Sequence, residues 1–130
     1  MSSIFSKIIR REIPAYIVKE DEDFIAFLDA FPLQRGHVLV VPKKEVDKIY
    51  DLEAGLLSKY LVFAQPIAHA IEKAFPCERV GMSVVGLEVP HAHLHLIPIN
   101  QMSDLDFTQK KLALSPEEME AIRKDIIQYL

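Results

Sequence analysis

Three of the five histidines in this chain fall in one run, Pro90-His91-Ala92-His93-Leu94-His95-Leu96-Ile97-Pro98. They alternate with apolar residues at the period of a half-buried strand, which predicts three imidazoles on one face. Alternate strand residues lie about 6.5–7 Å apart, so the row is long enough to span a phosphate and the atoms bonded to it. Packing alone would favour Val or Ile over three polar rings. A neutral imidazole nitrogen is a good nucleophile near pH 7, and a carbonyl that accepts from the other nitrogen fixes the tautomer. The middle residue, His93, is best placed to attack. Flanking His91 and His95, if protonated, would donate to non-bridging oxygens and stabilise the charge of phosphoryl transfer. His37 opens another strand directly after Gly36 and is a fourth candidate, with Gly36 allowing a close backbone approach. A competing reading has two or three of these rings binding zinc.

Several elements must position that row. Ile4, Phe5, Ile8, Ile9 and Ile13 have helical spacing, with Ser3 as N-cap and Pro14 as a stop. Tyr16–Lys19 and Phe24–Leu28 read as a hairpin around the acidic turn Glu20–Asp23, and His37–Val41 as a central strand apolar on both faces. From Glu53 to Ala74 a long helix carries the stripe Leu57, Leu61, Ala64, Ala68, Ile71 and Phe75, with a kink expected at Pro66. His69 reads as an ordinary side chain of that helix. Arg79–Val85 and His91–Ile97 are expected to form a second hairpin joined by five or six residues. Asn100–Leu114 shows no periodicity. Ser115-Pro116-Glu117-Glu118 is a capping box that starts a final helix with apolar Met119, Ile122, Ile126 and Tyr129. The sum is an α+β domain around a mainly antiparallel sheet of about five strands, one domain over residues 1–130.

Composition narrows the partners. A net charge of −4 leaves no electrostatic footprint for duplex nucleic acid, so bound phosphate must be held locally. One cysteine, Cys77, excludes an intrachain disulfide, and the first seven residues lack the apolar core of a signal peptide. No run approaches a membrane span. A cytoplasmic protein is expected.

His91–Ile97 matches position for position the signature His-φ-His-φ-His-φ-φ, with φ apolar, of the histidine triad (HIT) nucleotide hydrolases and transferases. The stretches from Ile4 to Pro14, Phe27-Leu28-Asp29, and His37 to Lys44 resemble the Hint branch of that family. The resemblance implies a HIT-like fold and attack on the α-phosphate of a purine nucleotide conjugate, through a covalent nucleotidyl-histidine that water then hydrolyses. It makes His93 the nucleophile, His95 and His37 the phosphate ligands, and His91 the residue that orients the nucleophile. Asp29 would accept from the ribose hydroxyls, a role its carboxylate suits. Phe5, Ile8, Phe27 and Ala30 would wall the base. Gly86, Leu87 and Glu88 stand in the turn that contacts phosphate and leaving group in related enzymes, where a longer Gly-rich loop is usual. A homodimer is implied, with Phe63, Ile67 and Ala70 of the long helix offered for the contact. No cofactor is implied. Many bacterial relatives carry zinc, but the corresponding positions here are Ser3, Ser6 and Glu45 beside one triad histidine, so no structural zinc is expected. Phosphoramidate hydrolysis is the leading expectation. The alternatives are dinucleoside polyphosphate hydrolysis and nucleotide binding with low turnover.

Overall fold

In the computed structural model, residues 2–130 are described, and Met1, the first residue of the expected span, lies outside them. Three helices and five strands follow in the order α1 (Ile4–Ile9), β1 (Ile17–Glu20), β2 (Phe24–Leu28), β3 (Val38–Pro42), α2 (Ala54–Ala74), β4 (Arg79–Ser83), β5 (Leu94–Ile99) and α3 (Pro116–Ile127). The strands form one sheet in the order β1-β2-β3-β5-β4, with every neighbouring pair antiparallel. This is an α+β fold. The central β3 is buried along its whole length, as its continuous apolar run requires.

Strand alternation gives the sheet two different faces. Phe24, Ala26, Leu28, Val38, Val40, Leu94 and Leu96 meet α2 and α3 in the larger core. Ile25, Phe27, Leu39 and Val41 face the other way and pack against Phe5 and Ile8 of α1. His95 pairs with Leu39 and has opposite parity to Leu94 and Leu96, so it lies on the α1 side. The helices α2 and α3 thus cover one sheet face, while the short α1 covers only part of the other, on which His95 lies.

The long helix buries a different stripe from the expected one. Tyr60, Phe63, Ala64, Ile67, Ala70 and Ile71 are buried, whereas Leu57 and Leu61 are 39% and 59% exposed. Phe63, Ile67 and Ala70 are therefore core residues and are not available to a partner. More than one face of α2 is apolar, and the sheet takes the face with the aromatic volume: Phe24 packs on Tyr60 at 4.9 Å and on Phe63 at 5.4 Å between centroids. The Tyr60 hydroxyl donates to the Val40 carbonyl at 2.6 Å, which satisfies its only polar atom inside the core. The helix runs through Pro66 as one element.

Other boundaries move for local reasons. α1 stops at Ile9, well before Pro14, in a Schellman turn: Glu12 N–H donates to Lys7 O, Arg11 N–H to Ile8 O, and Arg11 takes a φ of 62°. The loop joining β4 to β5 runs from Val84 to His93, so it is longer than expected and His91 and His93 precede the strand. Gly36 does need its missing Cβ, but for the Phe75 ring, which would stand 2.8 Å from a Cβ there. α3 begins with the expected Ser115–Glu118 capping box, although Tyr129 is 45% exposed and adds nothing to its buried face. Arg123 pins α3 to the sheet by donating to Ile17 O at 2.7 Å.

The two faces of α2 predict unequal costs. Phe63→Ala should destabilise the fold by about 3–5 kcal/mol in urea unfolding, whereas Leu57→Ala, outside the buried stripe, should change it by less than about 1 kcal/mol. Equal losses would contradict the assigned helix orientation.

Candidate active site

Each histidine of the row is held through groups whose hydrogen-bonding role is not in doubt. A backbone carbonyl can only accept and an amide N–H can only donate, so these partners decide the tautomers. His91 Nε2–H donates to Pro42 O at 2.7 Å, which leaves Nδ1 to accept from the Ser3 hydroxyl at 2.6 Å. His93 Nδ1–H donates to His91 O at 2.8 Å, so its Nε2 carries the lone pair. The Leu33 amide donates to His37 Nδ1 at 3.0 Å, and His37 Nε2–H in turn donates to His95 Nδ1 at 2.9 Å. His95 is thereby left with Nε2–H as its outward donor. One ring presents a bare lone pair and its neighbour, 4.9 Å away between centroids, presents an N–H donor.

Burial keeps the donors neutral. It pushes His37 down to about 3, helped by His95, Lys111 and His93, and pushes His95 down to about 4, helped by His93. His91 is also lowered, mainly by burial, although the Pro42 carbonyl and Glu45 oppose the shift. For His95, as for His37, burial thus disfavours the protonated form on which the conditional reading of the flanking rings rested, and it donates through an N–H whose tautomer its neighbours fix. His37 is a further correction, because both its ring nitrogens are occupied and none is left for a phosphate oxygen.

A cavity of about 330 Å³ opens over His93 and His95, lined also by Asp29, Phe31, His37, Val85, Gly86, Leu87, Glu88, Phe107, Thr108 and Lys111. Asp29 ends β2 and accepts from the Phe31 amide at 2.9 Å, while its second oxygen lies 3.4 Å from His37 Nε2. Burial raises its pKa, against the opposing pull of that amide and of His93 and Lys111. Gly86 adopts a φ of 73° with nothing near a would-be Cβ, so it serves the turn conformation that brings Leu87 and Glu88 to the cavity. Phe5 places its ring edge-on to His93 at 5.0 Å and to His91 at 5.9 Å, with Phe27 and Ile8 in the same buried cluster. Ala30 is exposed beyond Asp29, and neither it nor the buried Phe5, Ile8 and Phe27 is among the residues lining this cavity.

Sequence reasoning missed the contribution of residues 100–114. Phe107 stands edge-on to His95 at 4.7 Å, and Lys111 reaches the same cavity. No periodicity marks them, because the segment is held by single contacts: a 3-10 turn over Met102–Leu105, the Asp106–Thr108 hydrogen bonds, and Leu112 N–H donating to Pro32 O at 2.8 Å.

Fold and histidine row together define a class, a small α+β hydrolase domain with its chemistry on one open sheet face. The model of the HIT domain matches residues 10–102, and the chain belongs to the HIT family. It is 31% identical to the adenosine 5'-monophosphoramidase hnt1 of Schizosaccharomyces pombe, over 97% of this chain and 96% of that protein. A Hit-like protein from Bartonella henselae has a crystal structure that superposes with a TM-score of 0.87 at 33% identity, covering 99% of this chain and 96% of that one. A zinc-bound HIT family protein from Mycobacterium smegmatis superposes with a TM-score of 0.80 at 27% identity, over 98% and 95% of the two chains.

Ser3, Ser6 and Glu45, the positions where the resemblance would place zinc ligands in many relatives, form a different kind of node here. Glu45 Oε1 accepts from the Ser3 amide at 2.7 Å and from the Ser6 hydroxyl at 2.6 Å, and these bonds hold its carboxyl down at about 2. The Ser3 hydroxyl accepts from the Ser6 amide at 3.0 Å as the N-cap of α1 and donates its own proton to His91. Two hydroxyls already committed to these bonds do not make a zinc site. A second cluster, Asp29, His37 and His95, brings its ligand atoms within 4.8 Å of one another. The Leu33 amide claims His37 Nδ1 and so keeps the proton on Nε2, which leaves that nitrogen no lone pair for a metal.

Neutral buried histidines give stability a defined pH dependence. His37 and His95 titrate near 3 and 4 in the fold against about 6.5 unfolded. Between those values the unfolded chain binds more protons, so stability is full above about pH 6.5 and falls as pH drops toward 4. The urea midpoint should decline across that window and decline less in His37→Asn. A midpoint independent of pH from 7 to 4.5 would contradict the neutral network.

Proposed function

We propose that this protein hydrolyses purine nucleotide conjugates at the α-phosphate, nucleoside phosphoramidates first among them, with His93 as the nucleophile. The observation that carries this reading is the juxtaposition of a fixed lone pair on His93 Nε2 with a fixed donor on His95 Nε2. The substrate class is supported by the phosphoramidase name of the S. pombe relative.

In this reading His93 Nε2 attacks phosphorus while the bond from phosphorus to the leaving amine breaks, and the amine takes a proton from water. The ring gains positive charge, which the His91 carbonyl accepting from Nδ1–H stabilises. His95 Nε2–H donates to a non-bridging oxygen. Water then attacks phosphorus, gives up a proton that neutralises the hydroxide left when the amine was protonated, the bond to Nε2 breaks, and the lone pair returns to His93. His37 acts through His95, and Asp29 accepts from the ribose hydroxyls with the lone pairs that the Phe31 amide leaves free. Phe5, Ile8 and Phe27 supply apolar surface beside the base, with Ala30 at its margin. Glu88, on the cavity wall, faces the leaving group and favours a cationic amine.

His93→Ala should lower AMP release from adenosine 5'-phosphoramidate by roughly a thousandfold or more while AMP binding persists. Wild-type turnover in that variant would end the covalent mechanism.

We further infer a homodimer. The observation is an apolar groove between α2 and the edge strand β4, lined by Leu61, Val62, Gln65, Ala68, His69 and Met82. Val62 is 68% exposed there and Met82 47%. Burying these residues against a second copy also covers the free edge of β4. Light scattering should give twice the 14.8 kDa chain mass, reduced toward the single mass by Val62→Lys. A single-chain mass for the wild type would refute the dimer.

A further inference from the structure

The nucleotide reading leaves a charge problem. A phosphate entering the cavity meets the carboxylates Asp29 and Glu88, and its histidine donors are neutral. That neutrality follows from geometry as well as from burial: His37 Nδ1 accepts from an amide, and His95 Nδ1 accepts from His37. Lys111 is the one permanent cation among the described residues lining the cavity.

Its placement is built. Gln109 N–H donates to Asp106 O at 3.1 Å, Asp106 accepts from both the amide and the hydroxyl of Thr108, and Leu112 N–H bonds Pro32 O on the loop that follows Asp29. Phe107 packs against His95 between these anchors. The Lys111 ammonium is turned back onto its own loop, donating to Phe107 O and to Gln109 O, the latter at 3.2 Å. No carboxylate among the described residues lies within ion-pair distance of it. Its charge still reaches the site, since it opposes the burial-driven rise of the Asp29 carboxyl and adds to the lowering of His37. A half-buried ammonium held only by two carbonyls keeps a third N–H free for an anion.

We propose that Lys111, carried over the histidine row by Asp106–Leu112, is the cation that binds the α-phosphate of the nucleotide. This rests on the nucleotide reading above and adds to it the source of positive charge. The segment whose sequence shows no pattern is then the part of the site that selects for a phosphorylated ligand over the bare nucleoside.

The test measures AMP and adenosine binding by calorimetry for the wild type, Lys111→Met and Lys111→Arg, at low and raised salt. Lys111→Met should weaken AMP by about 10- to 100-fold, change adenosine by less than about twofold, and flatten the salt dependence of AMP binding. Lys111→Arg should recover most of the AMP affinity. Wild-type AMP affinity in Lys111→Met overturns the inference while leaving the nucleotide reading intact. So does an equal loss of AMP and adenosine, which would mark Lys111 as a support for the loop. A wild-type protein that binds neither ligand overturns the nucleotide reading and this inference with it.

Discussion

The site depends on backbone groups reaching the histidine rings before any substrate does. A free imidazole exchanges its proton between two nitrogens, and a catalyst that needs one nitrogen bare and the next one protonated cannot leave that choice open. Here the Pro42 and His91 carbonyls and the Leu33 amide make it, and none of them titrates. The Leu33 amide acts at a distance: it fixes His37, His37 fixes His95, and His95 offers its remaining N–H to the cavity. Preorganisation of this kind is electrostatic, since the dipoles stand in place and need not reorient as charge develops. It requires that the row be dry, and His91, His93, His95 and His37 are all buried.

That constraint explains the division of labour across the sheet. The larger core, built on Phe24, Tyr60 and Phe63 with α2 and α3, holds β3 and β5 in register from one side. The opposite face then gives up apolar packing along part of its length to polar rings. Such rings are tolerable inside a fold only when every nitrogen shut off from water has a partner, because an unsatisfied buried group costs about 1–3 kcal/mol, and the two unpaired nitrogens, Nε2 of His93 and of His95, open on the cavity. Among the described residues no buried side-chain nitrogen or oxygen lacks one.

The Ser3, Ser6 and Glu45 node belongs to the same scheme. It ties the start of α1 to the residue three positions beyond the end of β3 and supplies the proton that His91 Nδ1 accepts. Where a metal ion would orient a ring through its lone pair, a hydroxyl does so here, and a carboxylate anchors the helix that carries that hydroxyl. α1 in turn places Phe5 against His93, so the node and that ring are both braced by one short helix.

Local periodicity and side chains that bond within a few residues mark the five strands and three helices to within a few positions, together with the α1 and α3 caps, and they group the histidines, although His91 and His93 lie in the loop before β5 rather than on the strand their alternation predicts. Ser115 and Glu118 are three positions apart, and β2 matches its apolar run residue for residue. Tertiary structure decided what depends on distant partners. α2 has apolar residues around more than one face, and only the sheet selects Phe63 and Ile67 over Leu57 and Leu61. His37 reads as a phosphate ligand until Leu33 and His95 occupy both its nitrogens. Lys111 and Phe107 lie in a stretch without a pattern, and they become part of a site because Leu112 is bonded to Pro32, some eighty residues earlier, which no local spacing can encode.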